Sequence, residues 1–98
     1  MRLVEIESIH HKALRRFAET GSARGLDAKI IDRIKGMLAF LADAPSVDIL
    51  ATPPNYGAHL MKGDRAGTWS LIVTRNWRMT FRVNEVGAIV DLDLEDCH

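Results

Sequence analysis

The stretch Thr68-Trp69-Ser70-Leu71-Ile72-Val73-Thr74-Arg75-Asn76-Trp77-Arg78-Met79-Thr80-Phe81-Arg82-Val83 decides the architecture of this chain. Residues alternate across a strand, so Trp69, Leu71 and Val73 share one face of a strand over 68–73. Trp77, Met79, Phe81 and Val83 likewise share one face of a strand over 77–83, and that apolar face belongs in the core. The opposite face presents Arg78, Thr80 and Arg82. Arg75-Asn76 is a tight connection, so the two strands are antiparallel neighbours. Downstream, Asn84 to Gly87 turns the chain into a last strand over 88–94, with Val90, Leu92 and Leu94 on one face and Asp91 and Asp93 on the other. Upstream, Ala58-His59-Leu60-Met61 reads as a strand, turned by Lys62-Gly63-Asp64-Arg65. The second half of the chain is therefore an antiparallel meander.

The first half has a different period. Leu3 to Ile6 is a short apolar-rich run suited to a strand. Ser8 is placed to cap a helix through His11, Leu14 and Phe17 that stops before Gly21. Asp27 is a good N-cap for a second helix, whose Ile30, Ile31, Ile34, Met37, Leu38 and Leu41 fall at helical spacing on one face. Gly36 weakens that helix slightly, and Asp43-Ala44-Pro45 ends it. Val47 to Gly57, with Pro53-Pro54 and Asn55, is an irregular connector. The expected fold is α+β: two N-terminal helices packed on one face of a small antiparallel β-sheet, forming a single domain over 1–98.

Composition narrows the function. A hydrophobic content of 47% in 98 residues suits a globular chain and excludes a disordered one. One cysteine makes no internal disulfide, which points to a reducing, cytoplasmic setting. MRLVEIESIH lacks an apolar h-region, so no secretory signal is expected, and no apolar run approaches the ~20 residues of a membrane span. Formal net charge is zero, which by itself argues against nucleic acid, but the distribution is uneven. Lys62, Arg65, Arg75, Arg78 and Arg82 stand against Asp64 alone, while Glu85, Asp91, Asp93, Glu95 and Asp96 follow with no Lys or Arg among them. A basic strip beside an acidic strip makes either a focus for phosphate or a set of cross-strand ion pairs.

Phosphate-loop, dinucleotide, zinc-protease and nucleophile-elbow motifs are absent, and the four histidines and one cysteine have no metal-ligand spacing. No cofactor and no metal are expected. What remains is a polar set on the β half: His59, Lys62, Arg65, Arg75, Arg78, Arg82, Asp96 and His98. Asp96-Cys97-His98 closes the chain with a carboxylate and an imidazole two positions apart, on one face if the last strand continues. Such a set suits RNA cleavage, in which the 2′-hydroxyl attacks the adjacent phosphate. A base takes the 2′ proton, an acid protonates the leaving 5′ oxygen, and cations stabilise the phosphate charge. Histidine serves either proton role, and lysine and arginine serve the charge role.

Several blocks, in order and over nearly the whole chain, resemble the HigB-type toxins of the RelE-like superfamily. They are Ser8-Ile9-His10-His11-Lys12-Ala13-Leu14-Arg15-Arg16-Phe17 with Glu19-Thr20-Gly21-Ser22, and His59-Leu60-Met61-Lys62-Gly63-Asp64-Arg65-Ala66-Gly67-Thr68-Trp69-Ser70. Asn76-Trp77-Arg78-Met79-Thr80-Phe81-Arg82 and the closing Asp96-Cys97-His98 complete the set. The resemblance implies a ribosome-dependent endoribonuclease of a type II toxin–antitoxin system that cuts mRNA in the ribosomal A site. It also implies a HigA-type helix-turn-helix antitoxin as partner, with DNA reached only through that antitoxin, and no membrane association. Carried over by motif, His59, Asp96 and His98 are the catalytic residues, and Lys62, Arg78 and Arg82 bind the phosphate and stabilise its charge.

Two departures from the family pattern bear on activity. The family commonly ends Asp-Tyr-His, where this chain has Cys97, a side chain without a ring to stack on a base. RelE-like toxins tend to be basic, where this chain is neutral. The departures motivate an alternative, a catalytically weakened toxin that acts mainly as the antitoxin's partner in operon autoregulation. A ParE-like gyrase inhibitor shares the implied fold, and the His59 block and terminal Asp-x-His argue against it.

Overall fold

The computed structural model describes residues 5–51 and 56–96. Strands β1 (His59–Leu60), β2 (Thr68–Thr74), β3 (Trp77–Val83) and β4 (Ile89–Asp96) form one antiparallel sheet in the order β1-β2-β3-β4. Helices α1 (Lys12–Thr20) and α2 (Ile31–Ala42) precede it. The fold is the expected α+β arrangement of two helices and an antiparallel meander.

One face of the sheet and the two helices share a core. Leu71 and Val73 of β2, Met79 and Phe81 of β3, and Ile89, Leu92 and Leu94 of β4 are buried with Leu14, Ile34, Met37 and Leu41. Trp69, Trp77 and Val83 lie half-buried at the margin of this cluster. Each fully buried large apolar side chain contributes roughly 1.5–3 kcal/mol, and this shared core is what sets the register of the sheet.

The helices do not begin the chain as expected. Ser8 does not cap α1: its hydroxyl accepts from the Asp91 amide at 2.8 Å and its carbonyl accepts from the Leu92 amide at 3.0 Å. The cap is His11, whose Nδ1 accepts from the Leu14 amide at 3.2 Å. Gly21 closes α1, its amide donating to the Phe17 carbonyl. The residues before α1 belong to the sheet instead, with Ile6 and Ile9 bridged in parallel to Ile89 and Leu92. The free edge of β4 offered backbone partners, and the extended segment took them in preference to a longer helix. Leu3 and Val4, the start of the expected strand, lie outside the described residues, as do Pro53, Pro54 and Asn55 of the expected connector. Asp27 caps a short 3-10 turn, Ala28–Ile30, through the Lys29 amide at 2.9 Å, and that turn leads into α2.

A bulge corrects the expected pattern of the last strand. Thr80 pairs with Asp93 but Arg82 pairs with Val90, so Asp91 and Leu92 together stand opposite Phe81. Asp91 takes a left-handed backbone (φ 56°), and the extra residue reverses the alternation behind it. Ile89 therefore joins Leu92 and Leu94 in the core, and Val90 moves to the opposite face with Arg82. A second register shift lies between Ile72 and Thr74, where the Val73 carbonyl accepts from Arg33 Nε at 2.9 Å. The Arg33 guanidinium carbon also lies 4.8 Å from the centre of the Tyr56 ring.

Candidate active site on the sheet face opposite the helices

Ladder pairing places the polar residues in rows. His59 stands opposite Ser70, Ser70 opposite Thr80, and Thr80 opposite Asp93. The row on one side is Ile72, Arg78 and Glu95, and the row on the other is Thr68, Arg82 and Val90. Directly paired residues share a face, and alternation puts all of these opposite the core. The floor is made of small hydroxyls, with Thr68, Ser70 and Thr80 all buried. Above them stand Arg65, Arg82, Glu95 and His59, each at least partly exposed.

His59 is exposed, on the short outer strand β1. Its position depends on the turn before it. Tyr56 and Gly57 both have positive φ, and a Cβ on Gly57 would fall 2.8 Å from Ile72 Cδ1. Glycine alone lets the backbone pass that close while keeping φ at 66°. The Tyr56 carbonyl accepts from the Ile72 amide at 2.7 Å, which ties the turn to β2. His59 Nδ1 lies 3.2 Å from the Gly57 carbonyl. A carbonyl can only accept, so Nδ1 carries the hydrogen in this contact, and Nε2 of the neutral ring is the acceptor nitrogen.

Arg78 is held at the hairpin. Its Nη1 donates to the carbonyls of Thr74 at 2.6 Å, Trp77 at 3.1 Å and Arg75 at 3.3 Å. Its guanidinium is thus a fixed cation near the Arg75-Asn76 turn. Arg82 is exposed, and its Nη2 would lie 3.8 Å from a Cβ on Gly67. Lys62 is exposed and precedes the 3-10 turn Gly63–Arg65, which links β1 to β2.

A polar cluster on this face joins Arg65, named in the polar set but given no role, to Glu95 and Thr80, which were not among the expected site residues. Arg65 donates to both Glu95 oxygens, Nη1 to Oε1 at 2.8 Å and Nη2 to Oε2 at 2.5 Å. Thr80 Oγ1 donates to the same Oε2 at 2.5 Å. The Arg65 hydrogen bonds hold the Glu95 carboxyl below the usual carboxylate range; burial opposes this, and the Thr80 hydroxyl and the Arg65 charge add to it. The charge strips along the sequence were a signal for such a pairing. They did not single out Arg65 and Glu95, because Arg65 lies in a turn and its partner is thirty positions away.

Asp96 does not share the row of His59. It stands opposite Trp77 at the end of β4, on the alternation of the helix-facing side, and is exposed. Cys97 and His98 lie outside the described residues. Among the described residues, no three His, Cys, Asp or Glu side chains are placed to hold a metal ion. Nor is any helix among them long and apolar enough to cross a membrane.

Comparisons with known proteins bear on this arrangement. Residues 7–98 match the family described as the RelE-like toxin of the type II toxin–antitoxin system HigB. The chain is 38% identical over 93 residues to Endoribonuclease HigB of Proteus vulgaris, covering 95% of this chain and 99% of that protein. Among solved structures, it resembles a YafQ variant from E. coli with a TM-score of 0.60 at 16% identity, covering 98% of this chain and 93% of that one. It also resembles a chain of the toxin–antitoxin complex RelBE2 from Mycobacterium tuberculosis, with a TM-score of 0.52 at 16% identity, covering 97% and 99%. At these identities the structural likenesses speak to the fold.

Proposed function

The chain belongs to the RelE-like HigB toxins of type II toxin–antitoxin systems, and on that premise we propose that it is an endoribonuclease that arrests translation by cutting mRNA in the ribosomal A site. The whole of 1–98 serves as one toxin domain in the cytoplasm, and a HigA-type helix-turn-helix antitoxin silences it. The observation that carries this reading is the sheet face itself. His59 lies in the same surface as Arg78 and Arg82, in a chain 38% identical to an endoribonuclease.

The chemistry follows from the side chains and needs no metal. The RNA 2′-oxygen forms a bond to the adjacent phosphorus, and the bond from phosphorus to the 5′ oxygen breaks. His59 Nε2 takes the 2′ proton, consistent with the hydrogen held on Nδ1 by Gly57. We assign to His98 the return of a proton to the leaving 5′ oxygen; Asp96, which stands on the alternation opposite His59, keeps its orienting role by motif alone. Lys62, Arg78 and Arg82 bind the phosphate and stabilise the charge that develops on it. Arg78 is suited to this because its guanidinium is already fixed by backbone carbonyls. Cys97 supports a second reading, a toxin with weakened cleavage that acts mainly through its antitoxin, because a thiol offers no ring for a base.

The deciding experiment is message integrity in a purified translation system, with and without ribosomes, using wild-type protein and variants His59→Ala and His98-deleted. Cuts that require ribosomes and both histidines are expected. Intact message from folded, antitoxin-binding protein overturns the nuclease reading. Cleavage gained on Cys97→Tyr then favours the weakened toxin, and induction of a DNA-damage response favours gyrase.

A further inference from the structure

Two distant segments meet at Glu95. One is the 61–67 connection between β1 and β2, which carries Lys62 and has positive φ at Gly63 (70°) and at Gly67 (91°). The other is the end of β4, one residue before Asp96. Within the connection the Met61 amide donates to the Thr68 carbonyl at 2.8 Å and the Ala66 amide to the Gly63 carbonyl at 3.1 Å. Neither fixes the turn against β3 or β4. The Arg65 fork on Glu95 does so, across thirty residues of sequence.

Glu95 is itself set from below. Thr80 is 3% exposed, and its hydroxyl donates to Oε2, the same oxygen that receives Arg65 Nη2. The carboxylate is thus held by the sheet as well as by the arginine, as a built socket rather than a chance surface pair. An ordinary exposed ion pair contributes little and leaves its partners mobile. Here one partner is half-buried on a buried hydroxyl, and the geometry is bidentate.

We propose that Glu95 is a positioning residue, a socket set by Thr80 that grips Arg65 and thereby fixes the Lys62-bearing turn over the reacting face. This rests on the nuclease reading for its consequence and on the geometry alone for its mechanism. Glu95 touches no substrate in this account. It acts through Arg65 on the place of Lys62.

The test is a double-mutant cycle between residues that do not touch, Glu95→Gln and Lys62→Ala, read as ribosome-dependent cleavage rates. Glu95→Gln is expected to lower kcat/KM by up to roughly 100-fold, as misplacing a binding group can. Lys62→Ala is expected to lose most of its effect in the Glu95→Gln background, because a misplaced lysine contributes little. A merely structural role predicts additive effects of the two changes, and additivity overturns the proposal. Amide exchange of Ala66 and Gly67 is measured in parallel on the same folded proteins, and again in Thr80→Val. Faster exchange in both variants, without a change in the exchange of β3 amides, is expected. Unchanged exchange in Glu95→Gln overturns the socket whether or not the wild-type protein cuts message. A wild-type protein that cuts nothing, with faster exchange in the variants, overturns only the nuclease reading.

Discussion

The two faces of the sheet are held by different physics. The helix side is apolar, and Phe81, Met79, Leu71, Leu92 and Leu94 are joined there by non-directional burial. The other side is directional: Arg65, Thr80 and Glu95 meet through three hydrogen bonds, and Arg78 is held by three carbonyls. Burial tolerates small shifts of position, whereas a bidentate fork does not. Stability and the proposed chemistry are therefore separable by mutation, with the first carried beneath the sheet and the second above it.

The largest expected effect lies on the apolar side. Phe81→Ala removes the largest fully buried side chain and should destabilise the protein by about 3–5 kcal/mol, seen as a lower midpoint in chemical denaturation. A loss under about 1 kcal/mol would mean that the core is less closely packed than the burial of Phe81 implies.

A smaller effect tests the bulge, which joins the two sides. Asp91 sits at φ 56°, a conformation that costs a branched residue roughly 1–2 kcal/mol. Asp91→Val should lower stability by about that amount, while Asp91→Gly should be tolerated in the same denaturation series. Equal tolerance of both would argue that β4 can shed the bulge and shift register.

The smallest effect belongs to the polar side. Glu95 has a lowered pKa when folded, so its contribution to stability is present above its unfolded value near 4.5 and is lost as pH falls through the folded value. Denaturation midpoints measured from about pH 6 down to about pH 3 should fall less steeply in Glu95→Gln than in the wild type. Parallel pH profiles would show that the Arg65 contact is too screened by solvent to register in stability. The positioning role would then have to be judged on cleavage and exchange alone.

Much of the fold could be read from pattern. Period-two alternation identified β2 and β3 and their core faces, because one buried face forces strict alternation. Helical spacing identified α2 through Ile34, Met37 and Leu41. Pattern did not decide the positions where backbone groups chose among partners. Ser8 is a good cap by type, but the edge of β4 claimed it, and His11 capped α1 instead. Val90 fits the alternation of the last strand, but one extra residue at Asp91 sent it to the other face.

The candidate site divides in the same way. Residue types and motif order alone named His59, Lys62, Arg78, Arg82, Asp96, Cys97 and His98, and family membership followed from their sequence. Tertiary structure decided which of them share a surface: His59 and the arginines do, while Asp96 stands on the alternation of Trp77. It also brought forward Glu95 and Thr80 and gave Arg65 its partner, a set that no local pattern joins. Chemical identity and period are properties of neighbouring residues, so they are written along the chain. Pairing register, bulges and a bidentate contact across thirty residues depend on which distant segments the core brings together, and so arise only in the folded molecule.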